Sequence, residues 1–273
     1  MGYPSVYLRQ GLLLLLALAL VGAASLVLVR SCRQSGQNVE SGFSRQIEGG
    51  LRDVLRSQLG EDPRFQEIHS PAIDHALEQI RLRLDTTANS RLDWPIELLV
   101  VDNPEINAVT LPGGLILVYA GLVRKAHSVE EVAAVIAHEM GHVSHHDTMN
   151  ALSRNLAIAG LLSAGGNASP ELIRQVLQTL AENAFSRQVE ADADRYALEL
   201  LTSSSLRPAH LADFFKSLAK KDTSQKLEQA LGWLGSHPDT NSRIRMAEQA
   251  DAGFSGPEKT LGLDWKKVLD SLP

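Results

Sequence analysis

Cysteine is nearly absent: Cys32 stands alone, so no intramolecular disulfide can staple the chain and its redox compartment is left open. Aromatic residues make up only 5% against a hydrophobic content of 44%, so the core must be built mainly from Leu, Val, Ile and Ala. Basic charge is not in excess. Lys and Arg number 26 against 32 Asp and Glu, a net charge of -6, and nothing in that balance suggests a nucleic-acid surface. No internal repeat is visible, which excludes a repeat array as a partner-binding extension. The 273 residues then fit one main domain with appendages.

Long apolar runs are also scarce, and the one that stands out lies at the N-terminus. Leu12 to Val29 carries no charge and as a helix reaches about 27 Å, just enough for a bilayer core. Uncleaved, it anchors the chain in a membrane; cleaved near Gly22-Ala23-Ala24, it is a secretory signal. Lipidation at Cys32 is a third route, for which Arg30 is a poor neighbour. Residues 31–44 read as a polar linker, and amphipathic helices follow over Phe43 to Leu59 and Pro71 to Leu84. Strands are expected at Ile96–Asp102, Ala108–Leu111 and Leu115–Tyr119, with Pro112-Gly113-Gly114 turning between the last two.

What the chain does have is His138-Glu139-Met140-Gly141-His142. The preceding run, Glu130 to Ala137, is helix-forming and free of Gly and Pro, so His138 and His142 sit one turn apart on one face. Two imidazoles at that spacing can hold one zinc ion, and Glu139 beside them is placed to take a proton from water activated by the ion. The extended pattern with Gly and His further on is excluded, because those positions hold His145 and Thr148. His146 falls about 80° round the helix from His138 and drifts off the ligand face.

A third ligand must come from elsewhere. In Ser186 to Ala197 a helix puts Glu190 and Asp194 one turn apart on the inward side, with Ala197 and Leu201. An inward carboxylate needs compensation, which a metal with two imidazoles provides. Asp194 is then placed to accept a hydrogen bond from a ligating imidazole. The plainer alternative is a solvated acidic face made of Glu190, Asp192 and Asp194. The strand leading into the metal-site helix, Leu115-Ile116-Leu117, is expected to offer an edge on which an extended peptide lies.

Three motifs in order carry a resemblance: Asn107-Ala108-x-x-Leu111-Pro112-Gly113-Gly114-x-Ile116, His138-Glu139-x-Gly141-His142, and Ser186-Arg187-x-x-Glu190-x-x-Ala193-Asp194. Together they resemble the gluzincin metallopeptidases of the Ste-type and HtpX-like class, with its mitochondrial OMA-type and bacterial periplasmic branches. Where that family usually has Glu-Ala-Asp, this chain has Asp192-Ala193-Asp194, which leaves Glu190 in the ligand position. Ser236-His237-Pro238 with Arg243 resembles a further family element facing the active site. His237 and Arg243 are thereby candidates for assisting an oxyanion or for a closed-state fourth ligand.

The resemblance implies an α+β fold: a mainly helical, zincin-like metalloprotease domain with a small β-sheet, plus one N-terminal hydrophobic helix. The expected division is 1–35 anchor or signal, 36–69 linker and helix, 70–250 protease domain and 251–273 tail. The expected function is a zinc-dependent endopeptidase with one zinc per chain, acting on polypeptides in quality control of misfolded or membrane-associated proteins. It would be held at the membrane by residues 12–29 with the protease domain on the periplasmic or intermembrane-space side, or else secreted or lipidated. A catalytically weak zinc-binding chaperone or scaffold is the alternative, against which the intact Glu139 argues. A zinc hydrolase of non-peptide substrates is the other, against which the strand and Pro-Gly-Gly edge weigh.

Overall fold

The computed structural model describes residues 45–88, 92–153, 170–181, 184–219, 233, 235–237 and 240–273. The apolar run 12–29, the linker 31–44 and Cys32 lie outside the described residues. Among those described, no helix is long and apolar enough to cross a membrane. The chain divides into a unit Met1–Ile47, of which only 45–47 are described, and a unit Glu48–Pro273 that carries everything below.

As the sequence leads one to expect, the architecture is α+β, mainly helical around one small sheet. Helix α1 runs over residues 45–58 and α2 over Pro71–Ala88. Strands β1 (Glu97–Val101), β2 (Ala108–Leu111) and β3 (Leu115–Tyr119) follow, then α3 (Ala120–Lys125), α4 (Val129–Ser144) and α5 (Asp147–Ser153). Beyond these come α6 (Pro170–Ala181), α7 (Arg187–Ser203), α8 (Ala209–Ala219), α9 (Thr240–Ala252) and α10 (Trp265–Leu269).

The sheet order is β1-β3-β2, with β3 parallel to β1 and antiparallel to β2. This corrects the expectation for Leu115, Ile116 and Leu117: β3 is the central strand, hydrogen-bonded on both sides, and has no edge to offer. The outer edge of β1 is covered, since Ile68 N–H donates to the Val100 carbonyl and Asp102 N–H to that of Gln66. The edge beside α4 belongs to β2.

Both faces of the sheet are buried. Leu98, Val100, Ala108, Ile116 and Val118 join the cluster built on α2, α4, α7 and α8. Leu99, Val101, Val109, Leu115 and Leu117 meet Leu51 and Leu55 of α1 and Val176, Leu177 and Leu180 of α6. Helix α1, expected as an amphipathic helix over Phe43 to Leu59, therefore covers the second face. Its Glu48 Oε1 accepts from Gly113 N–H at 3.0 Å, fixing a turn in which Gly113 and Gly114 take φ of 74° and 79°, the left-handed region that favours glycine. The C-terminal stretch is also packed in. Lys259 N–H donates to the Ser205 carbonyl, Leu261 N–H to Glu130 Oε1 and Trp265 Nε1 to the Ala126 carbonyl.

Two features put α4 and α7 where the site needs them. Ser128 caps α4 by accepting from Glu131 N–H, while Glu131 Oε2 accepts from His127 N–H; Ser186 caps α7 in the same way through Val189 N–H. The helices then cross at Gly141 and Ala193, where a methyl group on Gly141 would stand 2.8 Å from the Ala193 Cα and carbonyl oxygen. The obstacle is backbone, which cannot rotate away. Gly141→Ala is expected to force the helices apart, costing on the order of 1–3 kcal/mol in urea unfolding of the metal-free protein and weakening zinc retention against a chelator. Unchanged values for both would mean the crossing is looser than drawn.

Candidate active site

α4 and α7 bring five charged or ligating side chains into a buried cluster, and the segment through His237 and helix α9 add two more. His138 Nε2 and His142 Nε2 lie 3.2 Å apart. Glu190 Oε2 is 3.5 Å from the first and Glu190 Oε1 3.5 Å from the second. His237 Nδ1 stands 3.3 Å from His138 Nε2 and 3.0 Å from Glu190 Oε2. All four side chains are buried.

The outward-facing imidazole nitrogens are held by carboxylates. Asp194 Oδ1 lies 2.9 Å from His138 Nδ1, and Asp147 Oδ2 lies 2.9 Å from His142 Nδ1. Each carboxylate accepts from the Nδ1 N–H and so turns Nε2 into the cluster. Arg243 closes this outer ring. Its Nε and Nη2 donate to the two Asp194 oxygens at 2.7 Å, its Nη1 is 3.0 Å from Glu190 Oε2, and its guanidinium rests 4.3 Å from the Phe215 ring centre.

These donors fit a metal ion. A tetrahedral zinc about 2.05 Å from each donor sets the donors about 3.3 Å apart. The three edges between His138, His142 and Glu190 are 3.2, 3.5 and 3.5 Å. Soft imidazole with one carboxylate is also a donor set that zinc takes. The Glu139 carboxylate adjoins the same cluster, and among the described residues nothing donates a hydrogen bond to its buried Oε1.

The family model for Peptidase family M48 matches residues 71–251. The chain belongs to this family. Similar proteins include the mitochondrial metalloendopeptidase OMA1 of Arabidopsis thaliana, 34% identical over 78% of this chain and 45% of that protein. Metalloprotease LoiP of Escherichia coli is 33% identical over 76% of this chain and 87% of its own length. The beta-barrel assembly-enhancing protease of Yersinia pestis is 28% identical over 65% of this chain. The chain spans less than half the length of the first and the third. M48 enzymes are zinc-dependent peptidases, and the buried group of His138, Glu139, His142 and His237 is one that could hold that ion.

The ionisable groups of the M48 site are strongly coupled. Burial opposes ionisation of Asp194, but Arg243 and His138 overcome it and hold the carboxyl down at about 2. Burial likewise opposes the Glu190 charge, and His237 and His138 outweigh it, holding that carboxyl well below the usual carboxylate range. Burial and Arg243 push His138 down, yet its hydrogen bonds to Asp194 and Glu190 prevail and raise it to about 9 in the metal-free cluster. Burial lowers the His237 imidazole despite the nearby Glu190.

Of the residues singled out in the sequence, His138, Glu139, His142, Glu190, Asp194, His237 and Arg243 gather in this one place. Leu115, Ile116 and Leu117 do not reach it as an edge. Missed altogether was Asp147, brought back to His142 by a reversal in which His146 takes φ of 53°. The rings are the other surprise: four aromatics gather here, with Phe185 stacked on His142, Trp233 on His237, and Phe214 and Phe215 against Trp233. Phe185 directly precedes the Ser186 cap, the one local signal that marked it.

Proposed function

We propose that this chain is an endopeptidase in which His138, His142 and Glu190 hold one zinc and Glu139 is the general base. The observation that carries this reading is the near-tetrahedral spacing of the three donors beside a carboxylate oxygen to which, among the described residues, no group donates a hydrogen bond. Zinc bound there supplies a Lewis acid that acidifies water and polarises a carbonyl. Glu139 accepts the proton at Oε1 and returns it to the departing amine nitrogen. Asp194 and Asp147 keep the two imidazoles in the tautomer that faces the ion. Arg243 balances the charge of Asp194 and Glu190: its Nε and Nη2 are bound to Asp194, while Nη1, 3.0 Å from Glu190 Oε2, has no hydrogen-bond partner among the described residues and is the nitrogen left to assist an oxyanion. His237 closes the fourth side of the cluster, and its ring has to give way when a substrate carbonyl enters.

The substrate strand is assigned to β2 in place of β3. Asn107 pairs towards Tyr119, so alternation turns the Ala108 carbonyl and the Thr110 N–H away from β3. A cavity beside them is lined by Val109, Leu180 and Phe185 together with Thr110, Glu139 and His237. An extended peptide on that edge presents its scissile bond to the cluster.

The finer parts of the reading concern the whole protein. Substrates are misfolded or membrane-associated polypeptides, and residues 12–29 tie the domain to a membrane facing the periplasm or intermembrane space. The apolar run and the names of the relatives support this. The direct test is metal content and turnover. The purified chain is expected to contain one zinc by mass spectrometry of the metal, to lose hydrolysis of an unfolded protein on chelation and to regain it with zinc. Zinc uptake by the stripped protein should release protons, because His138 has to shed one to bind. Hydrolysis that survives complete removal of the metal would overturn the proposal.

A further inference from the structure

A glutamate on a helix can rotate about three torsions, and as a base it works only if one oxygen is kept turned to the cluster. Among the described residues, one hydroxyl holds the Glu139 carboxylate: Thr110 Oγ1 lies 2.7 Å from Glu139 Oε2 and 3.1 Å from the Glu139 carbonyl oxygen. The hydroxyl has a single proton, and the carboxylate is both the shorter contact and the charged acceptor, so the proton is donated to Oε2. The other oxygen, Oε1, receives none and looks towards His237 Nε2 at 3.7 Å.

Thr110 is itself fixed. It is buried and β-branched, it pairs with Ile116 across the ladder, and its carbonyl accepts from Thr148 Oγ1 at 3.1 Å. Its side chain reaches α4 while its N–H points along the outer edge of β2. One residue thus touches the base on one side and the proposed peptide groove on the other.

We infer that Thr110 is the positioning residue of the base: its hydroxyl ties down Oε2 so that Oε1 is the oxygen left to exchange the proton, in register with a peptide paired to the Thr110 N–H. The inference rests on the reading of Glu139 as base given above.

The test uses the full zinc-loaded chain and a fluorogenic peptide, comparing the parent with Thr110→Val, Thr110→Ala, Thr110→Ser and Glu139→Gln. Without the hydroxyl, kcat is expected to fall on the order of 10- to 100-fold, with KM within about threefold and zinc content unchanged. Thr110→Ser should return kcat to within about threefold of the parent. A second readout needs no turnover. Infrared difference spectra of the metal-free protein, taken against Glu139→Gln, isolate the Glu139 carboxylate stretch, which should move in Thr110→Val and Thr110→Ala and stay in Thr110→Ser. If Thr110→Val does not fold, the alanine and serine variants carry the comparison.

A parental kcat in Thr110→Val or Thr110→Ala, an unmoved carboxylate band, or a serine variant as slow as the other two overturns the role of Thr110. If Glu139→Gln is inactive in the same series, the base assignment stands and only Thr110 falls. A Glu139→Gln variant that cleaves at the parental rate removes the base assignment and this inference with it.

Discussion

Replacing Glu139 by Gln is expected to lower kcat for peptide hydrolysis by about 1000-fold while zinc stays at one per chain, a loss within the range that positioned acid–base groups contribute. Gln has the same shape and its amide oxygen can still accept from Thr110, so the carboxamide stays where the carboxylate was. What disappears is the basic oxygen at Oε1. KM should change little, because the proposed peptide site runs along β2 and Gln keeps the shape of the side chain that lines the cavity beside it. Stability should hold or rise slightly, since among the described residues nothing donates a hydrogen bond to the buried Oε1, and a neutral amide is easier to bury than a charge. Initial rates, metal analysis and a melting curve on one preparation check all three. The same variant separates the two classes left open by the sequence: a scaffold that merely holds zinc would be indifferent to it. A variant that keeps both metal and parental rate would remove Glu139 from the chemistry.

Arg243→Met should produce the largest loss of stability. The guanidinium is buried, makes a two-pronged contact with Asp194, approaches Glu190 and covers Phe215. Methionine keeps much of the packing and none of the charge, which leaves the buried Asp194 and Glu190 carboxylates with imidazoles as their remaining partners. Removing one partner of a buried pair costs on the order of 3–5 kcal/mol, read here by urea unfolding of the metal-free protein. Replacing Asp194 by Leu as well should recover part of the loss, because no orphaned charge then remains on that side.

The acid profile supplies an independent check on the same contact. Asp194 is held at about 2, below its ordinary 3.8, so its contribution is fully present above about 4 and disappears as pH falls through about 2. That difference corresponds to about 2 kcal/mol, and Arg243→Met should flatten this part of the stability curve. A loss of stability under about 1 kcal/mol, with the acid limb intact, would mean that the carboxylates are satisfied without Arg243.

Much of the site could be read from the sequence because helical periodicity is local. One turn separates His138 from His142 and Glu190 from Asp194, and the inward side of each helix is marked by its apolar neighbours. Strand order is different, because it depends on pairing between distant segments. Yet a signal was there: Leu115 to Tyr119 is apolar at every position, as expected of a strand buried on both faces and flanked on both sides. Asp147 was hidden by the backbone reversal at His146. Thr110 was hidden because a threonine in a strand is ordinary until the helix that packs on it is known. The role of α1 escaped for a similar reason: an amphipathic helix does not reveal which surface its apolar side will cover.

The edges of the sheet have one more consequence. Among the described residues, 66–68 already occupy the flank of β1, which leaves β2 as the strand with a flank to receive a newcomer. An open flank of this kind is ordinarily a liability through which stray chains stack and fibrils grow. Here any chain that zips onto it is delivered to the groups proposed to sever it, and an edge that invites aggregation is also equipped to clear itself.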